Sequence, residues 1–279
     1  MLTFKEFVKE HMLLEKLITF GGKAYPKFGQ VLILAGGAGS GKGFTLNKLI
    51  GMEGNVLDVD ALKALAIGSD KFAKRVKDET GHDLKNFDLR KPENVSRIHE
   101  LLSDVYGITK ANERRVLAAA LAAPSERKPN LIFDVTMKDL SKLESIARNV
   151  TEIGYEKGNI HLVWIVNDVE VAMKQNKERS RVVPEEILMS THEGASLTMR
   201  KLVDSSTNIA KYMDGDIWFA FNKANVDVKM VKSDEGGSYI VDANYVQVKK
   251  KGRKPTDYKE LGSEIVRKIR EYTPKTLQW

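Results

Sequence analysis

No cysteine occurs anywhere in the 279 residues. That excludes structural disulfides and every cysteine-ligated zinc or iron–sulfur centre, and it fits a reducing, cytoplasmic compartment. Histidine is scarce as well. His11, His82, His99, His161 and His192 stand at no metal-ligand spacing, so each reads as a solvated or core imidazole without a role of its own. Long apolar runs are also missing: the opening stretch MLTFKEFVKEHMLLEKLITF carries Lys and Glu throughout, unlike a signal peptide or a membrane span, and predicts a soluble chain with no membrane partner. There is no internal repeat and no low-complexity segment.

With 42% hydrophobic and 30% charged residues, the composition is that of an ordinary globular protein, enough for one large domain with extensions or two small ones. The net charge of +7 is unevenly placed, because residues 245–279 hold ten Lys or Arg against four Asp or Glu. Within that tail, KKKGRK (Lys249, Lys250, Lys251, Arg253 and Lys254) reads equally as a solvated loop or as a contact for nucleic acid.

Apolar periodicity organises the chain. Residues 2–20 repeat at helical intervals and predict an amphipathic helix. VLILA (31–35), NVLDVD (55–60), PNLIFDVT (129–136), NIHLVWIVND (159–168) and DIWFAFN (216–222) read as strands. Between them lie helical segments: 61–80 broken near Gly68, 95–123 interrupted around Gly107, and one entered through Pro184 with Glu185 and Glu186 in its first turn, running to about Tyr212. Strands alternating with helices predict a three-layer α/β sandwich with a mostly parallel sheet and a ligand crevice at the carboxyl ends of the strands. Beyond Asn225 the period changes to two, in VDVKMV and SYIVDANYVQV around the turn SDEGGS, which predicts a β-hairpin, followed by a helix over about 257–272.

Between the first strand and its helix stands GGAGSGKGF. Gly36, Gly41 and Lys42 fit G-x-x-x-x-G-K, the P-loop of nucleotide-binding proteins. In such a loop, successive N–H groups of Gly36, Gly37, Ala38, Gly39, Ser40, Gly41, Lys42, Gly43 and Phe44 wrap phosphates, the helix N-terminus adds positive potential, and the lysine neutralises the β and γ phosphates. A glycine-rich turn with a surface lysine is the plainer alternative. Gly43 stands where a Ser or Thr hydroxyl usually meets magnesium. Adenylate kinases, whose loops also read G-K-G, use magnesium nonetheless. Thr45 is a further hydroxyl, equally suited to a metal, a helix cap or a core contact.

Phosphoryl transfer to an alcohol needs a carboxylate near the acceptor and positive charge on the γ phosphate. Asp58 and Asp60 end the second strand, expected beside the first in the sheet, and D-A-L-K sets Asp60 one helical turn from Lys63, a base beside a cation able to hold an acceptor's phosphate. A helix cap with a surface lysine is the alternative. Asp134 ends the third strand where a magnesium carboxylate is expected, and Thr136 shares its face. Arg179 and Arg181 precede Val182, Val183 and Pro184 in a segment expected to form a lid over residues 177–190.

GGAGSGKG, DVDALK with its D-x-x-[RK] pattern, FDVT and RSRVVPEEIL occur in an order that resembles the zeta-toxin and polynucleotide-kinase branch of small P-loop kinases. The resemblance covers residues 31–222 and implies transfer of the γ-phosphoryl group of Mg-ATP to a hydroxyl of a nucleotide, nucleic acid or nucleotide sugar. Asp60 would act as base, Lys42, Arg179 and Arg181 on the phosphates, Lys63 and Thr136 near the acceptor, and Asp134 and Asp58 at Mg2+. The chain departs from the pattern at Gly43 and at Lys63, where arginine is common and would give bidentate phosphate recognition. The expected organisation is a lead-in over 1–30, a kinase domain over 31–225, and a basic hairpin-plus-helix extension over 226–279. A P-loop NTPase without a dedicated acceptor, or a nucleotide-stabilised nucleic-acid-binding protein, is the alternative.

Overall fold

The computed structural model describes residues 18–20, 26–232, 238–273 and 279. Most of the helix expected over 2–20, and the turn between the hairpin strands, lie outside the described residues.

Strand β1 (Val31–Ala35) leads through the glycine-rich loop into α1, which begins at Lys42–Phe44 and continues as a π-helical segment, Thr45–Ile50. β2 (Asn55–Asp58) is followed by the helices α2 (Val59–Gly68), α3 (Asp70–Thr80), α4 (Pro92–His99, continued by the π-helical Glu100–Val105) and α5 (Ile108–Ala122). The α/β pattern resumes with β3 (Leu131–Val135), α6 (Leu140–Glu152), β4 (Ile160–Val166), α7 (Val169–Glu178), α8 (Glu185–Leu202) and β5 (Ile217–Phe221). β6 (Val228–Lys232), β7 (Ser238–Ala243), β8 (Tyr245–Lys249) and α9 (Ser263–Tyr272) complete it.

The main sheet has the order β2-β3-β1-β4-β5-β8. Its first five strands are parallel and β8 is antiparallel to β5. This corrects the expected adjacency of β1 and β2, because β3 lies between them. The reason is burial: LIFDV pairs its apolar residues against fully buried VLILA, whereas Asn55 and Val56 of NVLD are exposed and suit an edge. The expected hairpin is present as the antiparallel β6–β7 pair. SYIVDANYVQV divides at Asn244, however, and its second half joins the main sheet. The helix entered through Pro184 ends at Leu202 rather than near Tyr212.

Residue alternation on β1 divides the core in two. Val31, Ile33 and Ala35 face a layer formed with α6, α8 and α9, while Leu32 and Leu34 pack against Leu46, Leu49 and Ile50 of α1. A separate apolar cluster (Ala73, Val76, Leu84, Ile98, Leu101, Leu102) holds the helices inserted between β2 and β3. That insertion stands beside the carboxyl ends of β2 and β3 and forms one wall of the site.

Candidate active site

A cleft of about 880 Å³ opens at the carboxyl ends of the parallel strands, within the usual range for small-molecule sites. Its lining includes Ala38, Gly39, Ser40, Gly41, Lys42 and Gly43, together with Asp58, Asp60, Lys63, Asp134, Thr136, Arg179 and Arg181. Gly36 and Gly37 lie behind this surface, and Phe44, also expected at the nucleotide, is not part of the lining.

Side chains define the loop as much as its glycines do. Lys42 Nζ donates to the carbonyls of Gly36 (3.0 Å) and Gly37 (3.3 Å) and lies 3.5 Å from Asp134 Oδ1. From α8, Thr191 Oγ1 accepts the Ala38 N–H at 3.1 Å and His192 Nε2 meets the Ala38 carbonyl at 2.9 Å. Gly37 is packed so closely on the His192 imidazole that a Cβ there would overlap the ring. Gly43 differs: a Cβ would meet nothing within 4 Å. Space therefore exists for the missing hydroxyl. Thr45 does not supply it, since its side chain is fully buried, lies outside the cleft lining, and has no hydrogen-bond partner among the described residues.

The carboxylates have distinct settings. Asp58 caps α2, its Oδ1 accepting the N–H groups of Asp60 (2.8 Å) and Ala61 (3.3 Å). Asp60 thus falls in the first turn of α2, one turn from Lys63 as D-A-L-K predicts, with Nζ at 3.9 Å. Arg181 lies closer, 2.5 Å from the same carboxylate oxygen. Burial tends to raise the pKa of Asp60, but the Arg181 hydrogen bond and the charges of Arg181, Lys63 and Arg179 outweigh it and hold the carboxyl below the ordinary aspartate value. Asp134 moves the opposite way: burial raises it, Lys42 opposes this, and the charges of Asp58 and Asp60 add to the rise.

Asp58 and Asp134 occupy paired positions on the adjacent parallel strands β2 and β3. Among the described residues no cluster of three or more His, Cys, Asp or Glu forms a self-sufficient metal cage. Two carboxylates beside a phosphate loop do fit a hard, oxygen-seeking cation that keeps waters and takes further ligands from phosphates, which is how Mg2+ is usually held.

The segment between α7 and α8 is fastened over the site. Asn176 grips Val183 through both main-chain groups, at 2.7 and 3.0 Å, and the Val182 N–H donates to the Leu89 carbonyl at 2.9 Å. These bonds fix the backbone from which Arg181 reaches Asp60. Arg179 lines the same cleft and makes no ion pair among the described residues.

Two histidines carry more than their spacing suggested. His192 is built into the loop, and His99 Nδ1 lies 2.6 Å from Lys63 Nζ. An ammonium has only donors, so Nδ1 accepts and the neutral ring carries its proton on Nε2. Lys63 is 4% exposed, and burial lowers its pKa against the opposing pull of Asp60. No local sequence pattern distinguishes these two histidines from His161, a true core residue bound by Gln30 and the Asp216 N–H. At the end of β3, Met137 adopts a φ of 52°, uncommon for a residue with a side chain, and turns the backbone away immediately after Thr136.

The Zeta toxin family model matches residues 93–218. Over that span the chain is similar to the zeta toxins. The matched span begins in α4 and ends in β5, so it contains Asp134, Arg179 and Arg181, while the glycine-rich loop and Asp60 precede it. Among solved structures, AvrRxo1-ORF1:AvrRxo1-ORF2 with sulphate ions is 15% identical, covering 95% of this chain and 68% of that one, with a TM-score of 0.50. The PezAT toxin-antitoxin system of Streptococcus pneumoniae is 17% identical over 80% of each chain, with a TM-score of 0.42. At these identities the likeness to AvrRxo1 is one of fold. No curated protein matches the chain at a significant level. No helix among the described residues is long and apolar enough to cross a membrane.

Lys249, the first residue of KKKGRK, needs correction as a surface contact. It is 2% exposed, and its ammonium donates to Asp214 Oδ1 at 2.9 Å and to the Asp214 and Gly215 carbonyls. Strand alternation turns it inward at the end of β8, and Asp214 supplies its counter-charge. Lys250, Lys251, Arg253 and Lys254 are exposed.

Proposed function

We propose that the chain is an ATP-dependent kinase that transfers the γ-phosphoryl group to a hydroxyl of a nucleotide, nucleic acid or nucleotide sugar. The observation that carries this reading is Asp60 in its place: a half-exposed carboxylate between Lys63 and Arg181, across the cleft from a lysine-bearing phosphate loop. Hydrolysis alone needs no cation-flanked carboxylate outside the phosphate loop, whereas transfer to an alcohol does.

In this reading, Lys42 leaves the Gly36 and Gly37 carbonyls for the β and γ phosphates, and the loop amides and the N-terminus of α1 bind the rest of the triphosphate. Asp134, with Asp58 beside it, would hold Mg2+, which when bound would neutralise charge on the phosphates. Asp60 accepts a hydrogen bond from the acceptor hydroxyl and takes its proton as the new bond forms. Its depressed pKa keeps it ionised at neutral pH. Arg181 and Arg179 turn to the transferred group as its charge spreads, on a backbone already fastened in place. Lys63, steadied by His99, faces an anionic group of the acceptor, and Thr136 orients it. The exposed Lys250, Lys251, Arg253 and Lys254 support a polyanionic acceptor or partner.

The test is incubation with γ-labelled ATP and a panel of DNA, RNA, nucleotides and nucleotide sugars. Label is expected in an organic acceptor and absent with Lys42→Ala. Label in inorganic phosphate alone, whatever the panel member, would refute the kinase and favour an NTPase.

A further inference from the structure

In the phosphate loop, the consecutive carbonyls from Gly36 to Ser40 all accept side-chain hydrogen bonds. Lys42 serves Gly36 and Gly37, His192 serves Ala38 at 2.9 Å, Asn167 Nδ2 serves Gly39 at 3.3 Å, and Asn222 Nδ2 serves Ser40 at 2.9 Å. These last donors come from separate elements: α8, the turn after β4 and the turn after β5. Both strands lie on the same side of β1, so the parallel sheet itself brings the two asparagines beneath the loop.

A peptide group is planar, with its C=O and the following N–H pointing in opposite directions. Holding the carbonyls of Ala38, Gly39 and Ser40 away from the cleft therefore fixes the N–H groups of Gly39, Ser40 and Gly41. Ser40 N–H is used within the loop, donating to the Gly37 carbonyl at 3.2 Å. Gly39 and Gly41 N–H then remain for an anion. The donors stand close enough to require glycine: a Cβ on Gly37 would overlap the His192 ring, and one on Gly41 would overlap the Asn222 amide.

Lys42 is the one donor of this set with a second task. If it turns to the nucleotide, as proposed above, it abandons its two carbonyls, and the loop's shape rests on the remaining donors. We infer that His192, Asn167 and Asn222 are positioning residues which hold the phosphate loop in its anion-binding shape while Lys42 is engaged with the triphosphate. This rests on the reading of the loop as a triphosphate site. His192 acts as a neutral donor through Nε2–H, a form that its burial favours over the imidazolium. Asn167 and Asn222 act through amide N–H groups that a carboxylate cannot replace.

The test is calorimetric binding of ATP, inorganic triphosphate and adenosine to the full chain and to His192→Leu, His192→Gln, Asn167→Asp and Asn222→Asp. His192→Leu and both aspartate variants are expected to lose about five- to tenfold in affinity for ATP and triphosphate, the worth of one hydrogen bond, with adenosine binding unchanged. His192→Gln, which keeps an N–H donor, is expected to recover most of the loss. Unchanged ATP and triphosphate affinity in the folded variants, or an equal loss for adenosine, would overturn the inference. Should His192→Leu fail to fold by circular dichroism, the near-isosteric Asn222→Asp decides by the same criteria. Wild-type protein that binds triphosphate and ATP no tighter than adenosine would instead overturn the phosphate site, and this inference with it.

Discussion

Asp60→Asn separates chemistry from structure at this site. The substitution keeps the side-chain shape and removes the charge that Arg181 meets at 2.5 Å and Lys63 at 3.9 Å. Asp60 is 53% exposed as a side chain, so the ion pair is discounted towards the surface range, to about 1 kcal/mol. Loss of an acidic residue from the first turn of α2 adds roughly 0.5 kcal/mol. Lys63, buried and already depressed by desolvation, loses its chief counter-charge and deprotonates more readily, which limits its own cost. Altogether the fold is expected to weaken by about 1–2 kcal/mol, or roughly 2–8 °C in melting temperature for a chain of this size. Catalysis is expected to suffer far more, since a positioned base is worth about 10²–10⁴ in rate, or about 3–5 kcal/mol of barrier. ATP affinity is expected to stay unchanged, because Asp60 contacts no residue of the phosphate loop in the hydrogen bonds described. The assay is the initial rate of labelled transfer to the acceptor found by the panel, with ATP binding by calorimetry and melting by circular dichroism. Transfer within about threefold of wild type would refute the base and leave Asp60 as an anchor for Arg181.

Gly43→Ser is expected to fold normally, because its side chain enters open space, and to lower the Mg2+ concentration needed for half-maximal ATP binding; a magnesium titration with no shift would show that position 43 does not face the metal. Arg181→Met removes the group that most strongly lowers Asp60, so the acid limb of the transfer rate is expected to move to higher pH, and an unmoved limb in a pH–rate profile would detach that limb from Asp60. Burial lowers the pKa values of His99, His161 and His192 in the folded chain, so the unfolded chain binds more protons in mildly acid solution. Stability is therefore expected to be complete above about pH 6.5 and to fall as pH drops from there towards the folded-state values, by at most about 1.4 kcal/mol per pH unit per histidine; a melting temperature flat from pH 7.5 to 5.5 would refute this. Lys249→Met is expected to destabilise the fold by roughly 2–3 kcal/mol in urea unfolding by leaving the Gly215 carbonyl without its donor and the Asp214 carboxylate without its counter-charge, whereas Lys250→Ala with Lys254→Ala is expected to stay within about 0.5 kcal/mol; equal effects would contradict the inward placement of Lys249.

What the sequence made legible was what local chemistry dictates. The parallel strands announced themselves because VLILA and HLVWIV are buried on both faces, and the phosphate loop because glycine spacing and a flanking helix are one local device. D-A-L-K placed Lys63 by helical pitch alone. Strand order was not local: β3 outcompetes β2 for the place beside β1 through burial shared across a long separation. Lys249 is a case of the same kind, since a lysine in KKKGRK reads as solvated until Asp214 is brought opposite it.

His192, Asn167 and Asn222 show how little of the loop's shape depends on the missing hydroxyl at Gly43. A P-loop is recognised by the groups that meet the nucleotide, and a substitution there draws the eye. The groups that shape its backbone lie far along the chain, at the ends of β4 and β5 and within α8, and no spacing rule links them to Gly36 or Gly41. In this chain those donors are present and hydrogen-bonded, and Gly37 and Gly41 are glycines that the close approach of His192 and Asn222 demands. Gly43 is the exception among them, a glycine with open space around it, and that freedom is what makes it the position where a metal ligand can be restored and the Asp134 side of the site tested separately from the cradle.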